Sequence, residues 1–463
     1  MKGTVLFVLH SRRGRVVSHA LQRTSPSGSC AQFARNAPMK LPILAAFVLL
    51  FAVSLIARGA ETVWRPFAAD SPWNQRIPAG AASDPASAEL IADFASRGPL
   101  YINIKDWSIP VYFVDADHTP RHDVADSRPG VYGQGFEFPR RIPIPDGAIA
   151  SPPVDGDNHL CVIDRARHRA WDMWWARQDA RGRWSTGLGA VTDLSGSGVG
   201  APWFAVPREL DAARARASGF PLIAGLILVD EIKAGRIDHA LVFAYDHCRS
   251  GFFIPPASTA QVNVPKTRNS SGIPMGGRIQ LDPRWDVEHS GLSASGKIIA
   301  RALQAYGAYC GDYADGNVLF ADNSPEALRS WQGLLRSEEL ETLFTPAMIR
   351  EHFRVLDMGN VLPGQNCEIP PPYMLSFRFA EPTAPGAIDY FARTIRIAVP
   401  PGSDLKRLAP HFAVFRPETR LTVDGINQVS GQTEHDFTSP VVYRLVSPDG
   451  ATNDWTVVVT SGK

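Results

Sequence analysis

The chain has 463 residues, enough for two or three domains that each bury a core of their own. Its formal net charge is +1, with 47 basic and 46 acidic residues in mixed order. That balance argues against nucleic acid, whose phosphates call for a clustered basic excess, and leaves a neutral or weakly anionic partner.

From Met39 the sequence reads as one lysine, an apolar run and a small-residue ending at Ala57-Arg58-Gly59. This is the pattern of a secretory signal peptide. Residues 39–60 are read as that signal and residues 1–38, rich in Arg and Ser, as a gene-start extension without a fold, translation starting at Met39. The expectation is a secreted, periplasmic or cell-surface protein with no stable membrane span after cleavage. The alternative is a membrane anchor behind a short cytoplasmic tail, for which the run from Leu41 to Ala57 is short. Beyond Cys30, the cysteines are Cys161, Cys248, Cys310 and Cys367. In an exported chain they permit two disulfides, in three pairings that spacing does not rank. With no CxxC and no shared metal-site spacing, neither a zinc site nor any cofactor is expected.

Residues 64–78, aromatic and punctuated by proline, read as a strap across the main domain. Asp84-Pro85 opens a short helix that ends near Gly98, and residues 100–114 alternate as strands. Residues 157–176 predict a β-hairpin in which His159, Cys161 and Ile163 share one face, Trp171, Met173 and Trp175 another, and Asp172 points away with Trp174. A helix is expected over 207–219. Next come two Leu/Ile/Val runs, from Gly225 and up to Tyr245, that flank Asp230, Glu231, Asp238 and His239; they read as strand, polar connection, strand. The pair Gly276-Gly277 precedes a strand bearing Arg278 and offers close approach to another chain or a ligand. Ser293 caps a helix through Ala305, and Ser324-Pro325 and Thr345-Pro346 start two more. Pro370-Pro371-Pro372 marks a spacer, after which six short runs from Met374 to Val459 are spaced as in a β-sandwich.

Within that last region, the run from Gly425 to Val441, then Ser447-Pro448-Asp449-Gly450 and the closing Trp455–Thr460 strand resemble the Ig-like modules of bacterial surface and secreted proteins. The resemblance covers nearly all of residues 373–463 and implies carbohydrate-active company, not catalysis. The main domain, through Asn158-His159, Asp230-Glu231, Ile237-Asp238-His239-Ala240-Leu241, Pro274-Met275-Gly276 and Tyr306-Gly307, resembles a group of exported bacterial proteins. That likeness implies a genuine domain and leaves its activity open.

Polar residues set between apolar runs need partners there, since each costs a few kcal/mol if buried unpaired. The candidate catalytic residues are therefore Glu231 and His239, with Asp230, Asp172 and His159 as neighbours. Two carboxyls ~5 to 10 Å apart serve glycosidic hydrolysis, one protonating the leaving oxygen and the other attacking or activating water. The bland alternative is a solvated turn in which Lys233 and Arg236 pair the acids. Arg278 is a candidate for a substrate carboxylate, with Tyr306 or His239 as the base of a lyase; its alternative is a salt bridge to Asp282 or Asp286. Of the tryptophans, Trp174 and Trp184 are the ones expected to be exposed for sugar stacking, although most tryptophans are simply core. GxSxG, Walker-type, HExxH and GxGxxG motifs do not occur, which weighs against α/β-type serine hydrolases, nucleotide enzymes and zincins.

The reading is a β-dominated α+β main domain over 61–369, with a sheet, barrel or jelly-roll-like core and several short helices, then a linker at 370–372 and an Ig-like β-sandwich over 373–463. The expected function is cleavage of an extracellular or cell-envelope polysaccharide, by a glycoside hydrolase ahead of a polysaccharide lyase. The rival is a non-catalytic glycan-binding or surface-assembly protein.

Overall fold

The computed structural model describes residues 63–128, 141–205, 214–260, 271–364, 371–390, 392–416 and 418–461. The gene-start extension, the signal, Cys30, Cys367, Pro370 and most of the helix expected at 207–219 lie outside them. Residues 214–218 of that helix are described and form turns instead.

In chain order the elements that position the site are helix α1 (Ser87–Ser96), strands β1 (Leu100–Asn103) and β2 (Val111–Phe113), and the hairpin pair β3 (Leu160–Asp164) and β4 (Arg169–Trp174). Strand β5 (Leu188–Asp193), the short helix α2 (Val229–Lys233), and strands β6 (Leu241–Ala244) and β7 (Arg278–Leu281) come next. Helix α3 (Ala294–Ala305), strands β8 (Ala308–Asp312) and β9 (Asn317–Phe320), helix α4 (Pro325–Trp331) and strand β10 (Phe353–Val355) complete the main region. Six strands form one mixed sheet in the order β1-β9-β6-β8-β7-β10, and four form another in the order β5-β4-β3-β2.

The hairpin has the expected register: Cys161 faces Asp172, and Val162 faces Trp171. Both of its faces are buried. Leu160, Val162, Trp171 and Met173 fill a small core of their own, while Cys161, Ile163 and Ala170 join the large core over the six-stranded sheet. The residues 64–78 do run across the main region, through Phe67 N–H to Leu194 O, Ala240 N–H to Trp73 O and Ile77 N–H to Ala305 O. Trp73 is sealed against Phe220 and Tyr309. Ser293, Ser324 and Thr345 each cap a helix with the side-chain oxygen, as their sequence contexts required. The close approach at Gly276 is made by the chain itself: a Cβ there would stand 1.8 Å from Ile254 O.

The stretch 225–245 departs from the reading of two strands. Its first apolar run ends in helix α2, and only the second forms a strand, β6. Glu231, at the third helical position, turns back to accept the Leu228 N–H at 3.0 Å, satisfying an end group that a helix leaves open. Asp230 and Glu231 lie in the first turn and Lys233 in the last, the charge order that complements the helix dipole. Gly235, at φ +80°, ends the turn.

Residues 371–461 build two antiparallel-rich sheets, one of three and one of six strands, around Tyr373, Phe377, Tyr443 and Trp455. Trp203, Phe204 and Phe252 of the main region pack into this core, and Trp203 lies 5.4 Å from Phe415. Among the described residues, no helix is long and apolar enough to cross a membrane.

Candidate functional site

Glu231 and His239 meet. Glu231 Oε1 lies 2.8 Å from His239 Nε2, and His239 Nδ1 lies 2.9 Å from Ala240 O. Both ring nitrogens face oxygen atoms, an arrangement that favours the protonated ring, which can donate to both. The side chains are 2% and 4% exposed for Glu231 and His239. Burial pulls the His239 pKa down, but the charge and hydrogen bond of Glu231 and the Ala240 carbonyl outweigh it and leave it raised. With Glu231 Oε2 on Leu228 N–H, the pair is closed on itself and fixes α2 to the start of β6.

Asp230, the neighbouring residue, points the other way. It is exposed, stands 3.7 Å from Arg165 and lines a cleft of about 430 Å³ with Lys233, Asp322, Glu326 and Arg329. That size suits a small ligand or part of a chain. Asp322 is the buried acid of this cleft. Burial raises its pKa to about 6, against the opposing pull of the Ser324 and Val111 N–H groups that its Oδ1 accepts from.

Asp172 and His159 belong to a separate, interior cluster. Asp172 Oδ2 accepts the Leu222 N–H at 3.0 Å, and Cys161 Sγ donates to Oδ1 at 3.3 Å. His159 Nε2 bonds to Ala215 O at 3.0 Å. Burial drives His159 down to about 4, with Asp157 opposing and Arg216 assisting. Asp312 is raised by burial to about 7, and Arg216 is lowered by burial to about 10. His159 Nδ1 and Arg216 Nε and Nη1 find no hydrogen-bond partner among the described residues. The hairpin histidine therefore does not join the Glu231–His239 pair.

The remaining candidates also separate. Arg278 gives its Nε proton to Tyr306 O at 2.8 Å and its Nη2 proton to Gln75 O at 2.9 Å, so it holds the strap to α3 and pairs with neither Asp282 nor Asp286. Asp282 binds Arg284, and Asp286 binds His289. Tyr306 is buried, with Arg76 over its ring. Trp184 is only 4% exposed and packs in the small core, because its strand lies against the hairpin, and this corrects the expectation that it is open. Trp174 is half-buried and stacked on Trp175, and the open tryptophans are Trp175 and Trp107.

Among the described residues, no group of three or more His, Cys, Asp and Glu stands together as a metal site. Cys161, Cys248 and Cys310 are free thiols, and Cys248 Sγ lies 3.4 Å from Cys310 Sγ. Burial raises the pKa values of Cys161 and Cys248, which keeps them as unreactive thiols. Iodoacetamide is accordingly expected to leave these three residues unmodified in the native protein and to label all three in urea, as read by peptide mass spectrometry; rapid native labelling would show that they are not sealed.

Sequence reasoning missed Asp322, Asp312 and Arg216. Asp322 had a cue, since it precedes Asn323-Ser324-Pro325 and so belongs to a helix start; the other two had none.

No curated protein matches the chain. Among solved structures, a provisionally described glycoside hydrolase from Bacteroides thetaiotaomicron is 28% identical over 22% of this chain and 28% of its own, with a TM-score of 0.18. The chain thus spans less than a third of that protein. A provisionally described secreted protein from Bacteroides fragilis is 22% identical over 17% of this chain and 71% of its own, with a TM-score of 0.15. Residues 374–459, nearly all of the C-terminal sandwich, match the family described as SGBP, N-terminal, a domain of glycan-binding proteins.

Proposed function

We propose that the protein is exported and engages a polysaccharide at or beyond the cell surface, with binding as its primary activity. The observation that carries this reading is the match of residues 374–459 to a domain of glycan-binding proteins. The packing of Trp203, Phe204 and Phe252 into the sandwich core supports it, because a module fastened in this way presents the main region to the same ligand. The Ig-like character of the sandwich belongs to this proposal.

A second reading, hydrolysis of the bound chain, is favoured by the cleft beside α2. There Asp322 keeps its proton to about pH 6, and Asp230 and Glu326 supply further carboxyls to the same space. A proton donor and a second carboxylate are the parts that glycosidic cleavage needs. Asp322 is then the acid, Asp230 or Glu326 the base or nucleophile, and the Glu231–His239 pair a positioning device that holds α2 in place.

Residues 62–463 would be screened in native gels cast with plant and bacterial polysaccharides, alongside assays for new reducing ends and for the absorbance of unsaturated products. Retardation by at least one glycan is the expected result, and retardation by none overturns the proposal. If cleavage is found, Asp230→Asn and Glu326→Gln together are expected to lower it by roughly 100-fold or more, the scale of positioned acid–base catalysis, while retardation is kept. Undiminished turnover removes the cleft as the reacting site.

A further inference from the structure

We infer that the stacked pair Trp174–Trp175, with Trp107 on the same loop, Arg128 over the Trp174 ring and Arg177 over the Trp175 ring, is a binding site for a polysaccharide bearing uronic acids. This inference rests on the glycan reading above and names the site and the ligand class. The indoles of Trp174 and Trp175 lie 4.2 Å apart and 15° from parallel. Arg128 stands over the Trp174 ring at 5.8 Å and Arg177 over the Trp175 ring at 5.7 Å. Neither arginine makes an ion pair among the described residues, although most arginines near the hairpin do. Two stacked indoles with a guanidinium at each ring suit a ligand ring that has an apolar face and carries a carboxylate, and both features occur together in a uronic acid.

The backbone is arranged around this column at a cost. Trp175 at φ +55° and Trp107 at φ +58° both occupy the left-handed region, where a bulky side chain is rarely held without compensation. They are 37% and 50% exposed, so burial of the rings does not explain the conformation. Both hang on one loop: Trp107 N–H donates to Pro152 O and Trp175 N–H to Asp157 O, each at 2.8 Å. Trp174 Nε1 donates to Asp157 Oδ1 at 3.0 Å, which fixes the ring. Beneath the pair lies Gly187, where a Cβ would come within 3.1 Å of Trp175 and 3.3 Å of Trp174. The Trp107 indole reaches Gly156, the residue before Asp157, so both tryptophans are tied to the same loop.

The test uses native gels cast with polygalacturonate or alginate, and with xylan, mixed-linkage β-glucan or starch as neutral arms. The full mature chain is run beside Trp175→Gly, Trp107→Gly and Arg177→Ala. Glycine suits the left-handed backbone, so the two glycine variants are expected to keep the thermal midpoint of the parent. They are expected to lose roughly tenfold or more in affinity for the acidic chains, the scale of truncating a stacking ring. Arg177→Ala is expected to remove much of the salt dependence of retardation. If the parent binds glycans and the variants bind them equally, the site is overturned while the glycan reading stands. Binding to neutral chains alone overturns the ligand class. A marked fall in thermal midpoint for the glycine variants overturns the claim that these rings are held for a ligand, and a parent that binds no glycan overturns both readings at once.

Discussion

Glu231→Ala is expected to destabilise the protein by about 3–5 kcal/mol, the usual cost of leaving one member of a buried ion pair without its partner. The change strands His239, whose ring is enclosed and whose Nε2 has no other hydrogen-bond partner than Glu231 Oε1 among the described residues. It also frees the Leu228 N–H at the start of α2. Glu231→Gln keeps the shape and both hydrogen bonds, its Oε1 accepting the Leu228 N–H and its amide donating to a neutral His239 Nε2, but loses the charge, so the expected loss is smaller, about 1–3 kcal/mol. The pH dependence gives the test its sign. The folded pKa of His239 is raised, so the protonated pair contributes fully below the unfolded value of about 6.5 and its contribution is lost as pH rises through the folded pKa. Urea unfolding of the parent and Glu231→Ala at pH 6 and pH 9 should therefore give a gap that narrows in alkali at unchanged slope. A gap below 1 kcal/mol, or one indifferent to pH, would show that the pair is not a buried imidazolium–carboxylate.

The parts of this fold that were legible in the sequence are those set by neighbours along the chain. Ser293, Ser324-Pro325 and Thr345-Pro346 announce helix starts because a cap bonds within three residues of itself. The hairpin over 157–176 was readable because strand alternation pairs Cys161 with Asp172 whatever lies outside. Helix α2 was not, since five residues containing Val229 and Ile232 look the same as a strand end, and the Glu231 bonds to Leu228 N–H and to His239 that hold the turn are side-chain contacts that apolar patterning does not register. Polar residues placed between apolar runs did mark Glu231 and His239 as partners, but whether such a pair opens to solvent depends on what the strap from Trp64 onward covers. The tryptophans show the same limit. Trp184, expected open, is buried by packing against the hairpin core, while Trp175, expected on a strand face with Trp171 and Met173, is turned outward by a left-handed backbone. Asp312 and Arg216 carry no local mark, because the burial of a charge is decided by elements distant in sequence.

Asp312→Asn and His159→Gln are expected to tilt the pH dependence of stability in opposite directions, because the two groups share one interior cluster and are displaced in opposite senses. Asp312 is raised by burial from 3.8 to about 7, with Arg216 opposing the rise and Asp157 adding to it. A carboxyl raised in the folded state favours folding below its unfolded pKa, and that contribution is lost as pH climbs through about 7. The size is on the order of 4 kcal/mol for three units, at 1.36 kcal/mol each. His159 is lowered by burial from 6.5 to about 4, with Asp157 opposing and Arg216 assisting. A histidine kept neutral in the fold contributes stability above its unfolded pKa, and that contribution is lost as pH falls towards about 4, on the order of 3 kcal/mol. In the parent the two slopes oppose one another between pH 4 and pH 7, so the net curve is shallow. Asp312→Asn removes the falling branch, and the variant should gain stability relative to the parent as pH rises across that window. His159→Gln removes the rising branch and should gain relative to the parent as pH falls. Urea midpoints at half-unit steps from pH 4 to pH 8 measure both tilts. Parallel curves for the parent and both variants would mean that neither group titrates in the fold as its surroundings require.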